Sequence, residues 1–194
     1  GSHLGNMGHC SMRNAQLQDG FYYGINMDEY GTVYAETRGT GFENLGNLTI
    51  VGEVSFGNIN WMYNEGRVLI SKSGRLEFPK GERLEYGYYF VNDQGEVILE
   101  EEEWNDERGG ENWYDAGTEA GFDNLGIFDV NGELEIGERS YLNNGDWGGA
   151  NEGVVMNVNG TATVYGNLNN VLDGAILNVD SNNKITESLI KDNI

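Results

Sequence analysis

The chain has 194 residues, with 11 Lys and Arg against 32 Asp and Glu, a formal charge of −21. Such a chain repels a phosphate backbone and an anionic lipid surface, so no nucleic-acid partner is expected. Its apolar runs are a few residues long, far below the roughly 20 that span a bilayer as a helix, so no membrane insertion is expected either.

Taken from the start, residues 1–12 (Gly1-Ser2-His3 through Met12) read as a protease scar and vector linker and are set apart from the fold. His3, His9 and Cys10 all lie there, and from Arg13 onward the chain contains neither His nor Cys. That leaves no disulfide, no Cys- or His-ligated zinc, and no Ser-His-Asp or Cys-His nucleophile arrangement. The expectation is therefore not an enzyme.

From there to about residue 100, apolar residues alternate with polar ones: Leu48 and Ile50, Val54 and Phe56, Val68 and Ile70, Leu76, then Val97 and Leu99. Period two predicts strands with one buried face. Gly46, Gly52, Gly57, Gly66 and Gly74 punctuate the run, so each strand lasts about four to six residues before a turn. The chain holds 30 Gly, 25 Asn and a single Pro, the composition of frequent tight turns.

A self-match organises the rest. Gly41-Phe42-Glu43-Asn44-Leu45-Gly46 returns as Gly121-Phe122-Asp123-Asn124-Leu125-Gly126, and the register holds at an offset of 80 through Gly57 and Gly137. Asn64-Glu65-Gly66 reappears as Asn151-Glu152-Gly153 after a small insertion near Gly145–Gly149, and Gly20-Phe21-Tyr22-Tyr23 resembles Gly87-Tyr88-Tyr89-Phe90. Repeat copies are thus expected at about 20–78 and 87–164, within a β-repeat domain of residues 13–180. Inside each copy, glycines recur 20 to 22 residues apart, as in Gly46 to Gly66 and Gly52 to Gly74. That period suits an all-β protein built as a β-solenoid (β-helix) of short strands with Gly/Asn turns, about 20–22 residues per coil. Two tandem β-sandwich or meander units are the alternative.

The stretch Gly46-Asn47-Leu48-Thr49-Ile50-Val51-Gly52-Glu53-Val54-Ser55-Phe56-Gly57-Asn58 resembles segments of repeat-rich secreted bacterial surface proteins and of phage fibres. The likeness extends over about two thirds of the chain. It implies a structural or adhesive role outside the cytoplasm, at the cell surface.

Between Asp93 and Asp115, ten acidic residues face one base, Arg108. Asp93, Glu96 and Asp106 in this run, with Asp129, Asn131 and Glu133 further on, are the candidate ligands for calcium, which takes clustered carboxylate and carbonyl oxygens. A solvated acidic loop is the other reading. Trp104, Trp113 and Tyr114 interleave with the acids and are the candidate glycan-stacking residues, while Trp61, Tyr63 and Trp147 sit beside Gly/Asn turns. At the end, Ile185, Leu189, Ile190 and Ile194 fall at helical spacing, so Thr186–Ile194 is expected to be a short terminal helix or a capping segment, within a C-terminal cap or tail of residues 181–194.

The sequence thus predicts a non-enzymatic extracellular structural or adhesive β-repeat protein, or a fragment of a larger surface protein. A glycan-binding module and an acidic β-helix carbohydrate-active enzyme are the alternatives. Expected partners are a cell-surface glycan or protein and, through open solenoid ends, a second copy of the chain.

Overall fold

The computed structural model of the chain describes residues 2–27, 33–91, 94, 97–100, 113–146, 151–170, 175–179 and 185–186. Every element among them is a strand. No helix among the described residues is long and apolar enough to cross a membrane.

Outside two insertions, the strands come in groups of three, or of two where the second and third run on as one long strand. β1 (Ser2–Asn6) and β2 (His9–Leu17) are followed by a hairpin of β3 (Phe21–Met27) and β4 (Val33–Arg38). β5 (Thr40–Asn44) leads into the long β6 (Asn47–Phe56). β7 (Trp61–Asn64), β8 (Arg67–Ile70) and β9 (Arg75–Phe78) complete the next group. The second insertion is antiparallel, with β10 (Arg83–Val91) between β11 (Val97–Glu100) and β12 (Trp113–Gly117). Then follow β13 (Gly121–Asn124), β14 (Ile127–Val130) and β15 (Glu133–Ile136). β16 (Tyr141–Asn144), β17 (Val155–Val158) and β18 (Thr161–Val164) form another group, and β19 (Asn167–Asn170), β20 (Ile176–Val179) and β21 (Ile185–Thr186) the last.

Outside the insertions all pairing among the described strands is parallel. The first strands of the groups make a six-stranded sheet, in the order β1-β5-β7-β13-β16-β19. The second and third strands make a ten-stranded sheet, β20-β17-β14-β8-β6-β9-β15-β18-β21, with β2 also on β6. β6 joins its two halves because Asn47–Ile50 pairs with β8 while Glu53–Ser55 pairs with β9. Gly41 stands opposite Trp61, Trp61 opposite Gly121 and Gly121 opposite Tyr141. The self-match of Gly41 with Gly121 is therefore two pairing steps, the first from Gly41 to Trp61 and the second from Trp61 to Gly121, across the second insertion.

Alternation sets what is buried. Phe42, Leu48, Ile50, Val54, Phe56, Met62, Val68, Ile70, Leu76 and Phe78 point inward, as do Phe122, Phe128, Val130, Leu134 and Ile136 from the later group. Each such side chain contributes about 1.5–3 kcal/mol by leaving water. The Phe56 and Phe78 rings stack at 5.0 Å, Phe78 and Phe122 at 5.9 Å, and Phe122 meets Phe128 edge-on at 4.8 Å.

One polar residue per group also points inward. Asn6, Asn44, Asn64, Asn124, Asn144 and Asn170 form a ladder in which each Nδ2 donates to the next Oδ1 at 2.7 Å. The second proton of Asn44 reaches the carbonyls of Gly46 and Arg67, and that of Asn64 reaches the carbonyl of Ile127. Burial of an amide demands such partners, and stacking identical Asn residues supplies them without any other polar side chain. The glycine two residues on is required by the close approach of one turn to the next: a Cβ on Gly66 would strike the Gly46 carbonyl, and one on Gly126 the Gly66 carbonyl.

Three expectations change. The first twelve residues do not stand apart: β1 pairs with β5, His9–Met12 pairs with Asn47–Ile50, and Cys10 and Met12 pack on the core. Their Asn6-Met7-Gly8 has the same Asn-x-Gly form as the ladder turns at Asn44, Asn64 and Asn124, which explains their place. Second, the partner of Asn64-Glu65-Gly66 is Asn124-Leu125-Gly126 and then Asn144, not Asn151-Glu152-Gly153. Asn151 instead closes a loop, accepting from the amide of Asp146 and donating to its carbonyl. Third, Thr186, the first residue of the expected helix or capping segment, lies with Ile185 in a strand paired with Ala162 and Thr163. Residues 187–194 lie outside the described residues.

Candidate functional site

The strands that point Phe, Met, Leu and Asn inward point a second set of residues outward. On the six-stranded sheet this outer face forms two columns. Gly41, Trp61, Gly121, Tyr141 and Asn167 run side by side in one; Glu43, Tyr63, Asp123, Asn143 and Asn169 run in the other. Every outward-facing Trp or Tyr on the described strands of the two parallel sheets stands here.

Large and small alternate in the first column, and the rings use the space the glycines leave. The Trp61 indole lies against Gly41 and the Tyr141 ring against Gly121, where a Cβ would collide with each. His3 approaches Trp61 with ring centroids 5.6 Å apart, and its Nε2 lies 3.1 Å from a Glu43 oxygen. Trp61 nevertheless stays 39% exposed.

The second column is polar and tied together. Asn143 donates to Asp123 Oδ1 at 2.8 Å, and Asn169 donates to Asn143 at 2.9 Å. Tyr63 donates its hydroxyl to Glu65 at 2.9 Å. Burial, followed by that bond and the Glu65 charge, pushes the Tyr63 hydroxyl up to about 12. Burial, followed by the nearby Asp123 charge, takes Tyr141 to about 12 as well. Burial also raises the Asp123 carboxyl above its ordinary range, with the Asn143 bond opposing and the Asp146 charge adding to the shift.

Where this face meets the insertions it forms a depression of about 370 Å³. Trp61, Gly121, Asp123 and Tyr141 are its floor; Thr37 of β4 and Gly117 beside Glu119 are its wall. β4 and β12, one from each insertion, run close to each other and contribute Thr37 and Gly117 to its lining. Glu119 is held by Arg139 through Nε at 2.9 Å. Ile59 and Arg139, which occupy equivalent places in the self-match, both take left-handed backbone, φ 63° and 65°, at the turns entering β7 and β16. For the β-branched Ile59 this is a strained conformation.

Of the residues singled out in the sequence, some stand elsewhere on the described strands and the others lie outside the described residues. The backbones of Trp113 and Tyr114 belong to β12, opposite Tyr88 and Gly87; Trp104 and Trp147 lie outside the described residues, as do Asp93, Glu96 and Asp106. Asp129 is buried on the other sheet. Its Oδ2 accepts from Arg67 Nε and Nη2 at 2.9 and 2.6 Å, and its Oδ1 accepts from Asn157 at 2.8 Å. Asn131 accepts from Asn159 at 3.1 Å, and Glu133 pairs with Arg75 at 3.1 Å. The structure thus gives these three separate partners rather than one centre, and no group of three His, Cys, Asp or Glu among the described residues is arranged to hold a metal ion.

Trp61 and Tyr63 were visible in the sequence beside their turns. Asp123 and Tyr141 were not, because the strands that carry them lie beyond the second insertion, far along the chain from Trp61. The signal that would have found them is the recurrence of Gly, Trp, Gly and Tyr at 41, 61, 121 and 141. Compared with protein-family models, with curated proteins and with solved structures, the chain matches none. What fold and site define is an all-β protein of stacked, parallel, in-register strands with an aromatic and amide-rich outer face.

Proposed function

We propose that the chain is a three-sided β-solenoid with a coil period of about 20 residues, acting as a non-enzymatic structural or adhesive scaffold outside the cell. The observation that carries this reading is the parallel pairing of strand groups, in register but for one shift between β2 and β6, with the Asn ladder running through them. Tandem sandwiches would be antiparallel, with hairpin or Greek-key connections. In a solenoid each coil contacts chiefly its neighbours, so a whole coil is a removable unit.

Deletion of residues 61–80 tests the scaffold directly. The shortened protein is expected to fold cooperatively with a β-type circular dichroism spectrum and a lower melting temperature, since β5 and β13 carry matching inward residues. Deletion of residues 61–70, half a unit, is expected to unfold it. Equal collapse of both overturns the solenoid reading. Sustained release of reducing ends from any polysaccharide would overturn the non-enzymatic part and favour a carbohydrate-active enzyme.

Calcium at the acidic stretch 93–115 belongs to the same proposal. A ligand bound only by the folded state raises its midpoint, so melting in millimolar calcium should exceed melting in excess EDTA by several degrees. The strand edges of the first and last groups, unpaired among the described residues, are where a second copy would add, which light scattering would register as mass rising with concentration.

A further inference from the structure

We propose that the depression over Trp61, Asp123 and Tyr141 binds a neutral saccharide. The scaffold reading contributes only the rigidity of the face; the chemistry comes from the residues on it. A pyranose offers an apolar C–H face and a rim of hydroxyls, and so needs a flat ring beside acceptors and donors. Trp61 supplies the exposed ring. It is held against Gly41 and beside His3, so little side-chain freedom is lost when a ligand stacks on it. Strand spacing of about 4.8 Å sets Trp61 and Tyr141, two strands apart, at roughly 10 Å, the span of a disaccharide.

The polar partners are also in place. One Asp123 oxygen is fixed by Asn143, which orients the carboxyl, and the other accepts no bond among the described residues. It is free to accept from sugar hydroxyls. Tyr141 keeps its proton through the physiological range and is a donor throughout. The choice of a neutral ligand follows from charge: Asp123 lines the depression beside a Glu119 already paired with Arg139, on a chain of −21, so uronates and sulfated sugars are repelled. The polar depression on the other sheet, beside Glu53, Ser55, Arg75 and Glu77, has no ring to stack on.

The test is an oligosaccharide array carrying neutral, uronate and sulfated chains, followed by calorimetry with the neutral oligosaccharide that binds. Neutral chains are expected to bind and the acidic ones not. Trp61→Ala is expected to weaken binding about tenfold or more and Tyr141→Phe by a smaller factor, while Thr163→Ala, outward on the other sheet, leaves it unchanged. Trp61→Phe keeps a ring and guards against failure of the alanine variant to fold; it should retain part of the affinity. A blank neutral panel, equal binding of uronates, or unchanged affinity in both Trp61 variants overturns the proposal. The coil deletion, which itself takes out Trp61, separates the two readings when the array is run on the full chain: a folded deletion protein beside a full chain that binds no neutral sugar leaves the scaffold standing and removes the saccharide, whereas Trp61-dependent binding by the full chain beside an unfolded deletion protein does the reverse.

Discussion

The two faces of the six-stranded sheet are made by the same strands and differ in what they tolerate. Inside, each strand from β5 to β19 offers one apolar residue and one Asn: Phe42 and Asn44, Met62 and Asn64, Phe122 and Asn124, Leu142 and Asn144, Leu168 and Asn170. Outside, the same strands offer Gly and Glu, Trp and Tyr, Gly and Asp, Tyr and Asn, Asn and Asn. Asn ladders occur on both faces, so residue type alone does not distinguish them. Burial does. An inward Asn that loses its neighbour has no water to replace it, whereas Asn143 and Asn169 can turn to solvent.

Breaking the inner face should therefore cost most. Phe122→Ala removes a ring that touches both Phe78 and Phe128, and is expected to lower stability by about 3–5 kcal/mol in denaturant melts. Asn64→Ala comes next. It leaves the Asn44 amide without its acceptor and Asn124 Oδ1 without its donor, each worth about 1–3 kcal/mol, and Asn64→Leu should fare no better. Asn143→Ala, the outer counterpart, is expected to change stability by under about 0.5 kcal/mol. A cost for Asn143→Ala equal to that of Asn64→Ala would erase the distinction between the faces.

Two smaller effects sharpen the comparison through pH. The Asp123 carboxyl is raised in the folded state, so the fold holds its proton more tightly than the unfolded chain does. Its favourable contribution is present in acid and is lost as pH rises through the raised value. Asp123→Asn, which can still accept from Asn143, is expected to melt slightly higher than the parent at neutral pH, with the difference vanishing in acid below the ordinary Asp range. Smallest of all, Tyr63 and Tyr141 should ionise near 12 rather than 10 in an absorbance titration. Their raised values favour the fold below pH 10, and that contribution is lost as pH rises toward 12.

Much of the strand pattern was legible. Leu48, Ile50, Val54, Phe56, Val68, Ile70 and Leu76 alternate in the chain and are buried in the fold, because alternation is a property of neighbouring residues. The candidate site was less so. Asp129 reads as part of an oxygen-rich loop, yet its oxygens are taken by Arg67, 62 residues earlier, and Asn157, 28 residues later. Neither partner is suggested by the local sequence. Likewise Asn151-Glu152-Gly153 has the spelling of a ladder turn, but the insertion before it moves Asn144 into the ladder instead.

By itself, then, the sequence determined an all-β chain with short strands, Gly/Asn turns, a repeat, and a net charge of −21. These follow from composition and from contacts between residues a few positions apart. Only the tertiary structure decided which repeats stand side by side, that the first twelve residues join them, and that Trp61, Asp123 and Tyr141 share one face. Parallel pairing links strands that lie far apart in the chain, and the insertions between them change that distance without leaving a mark in the strands themselves.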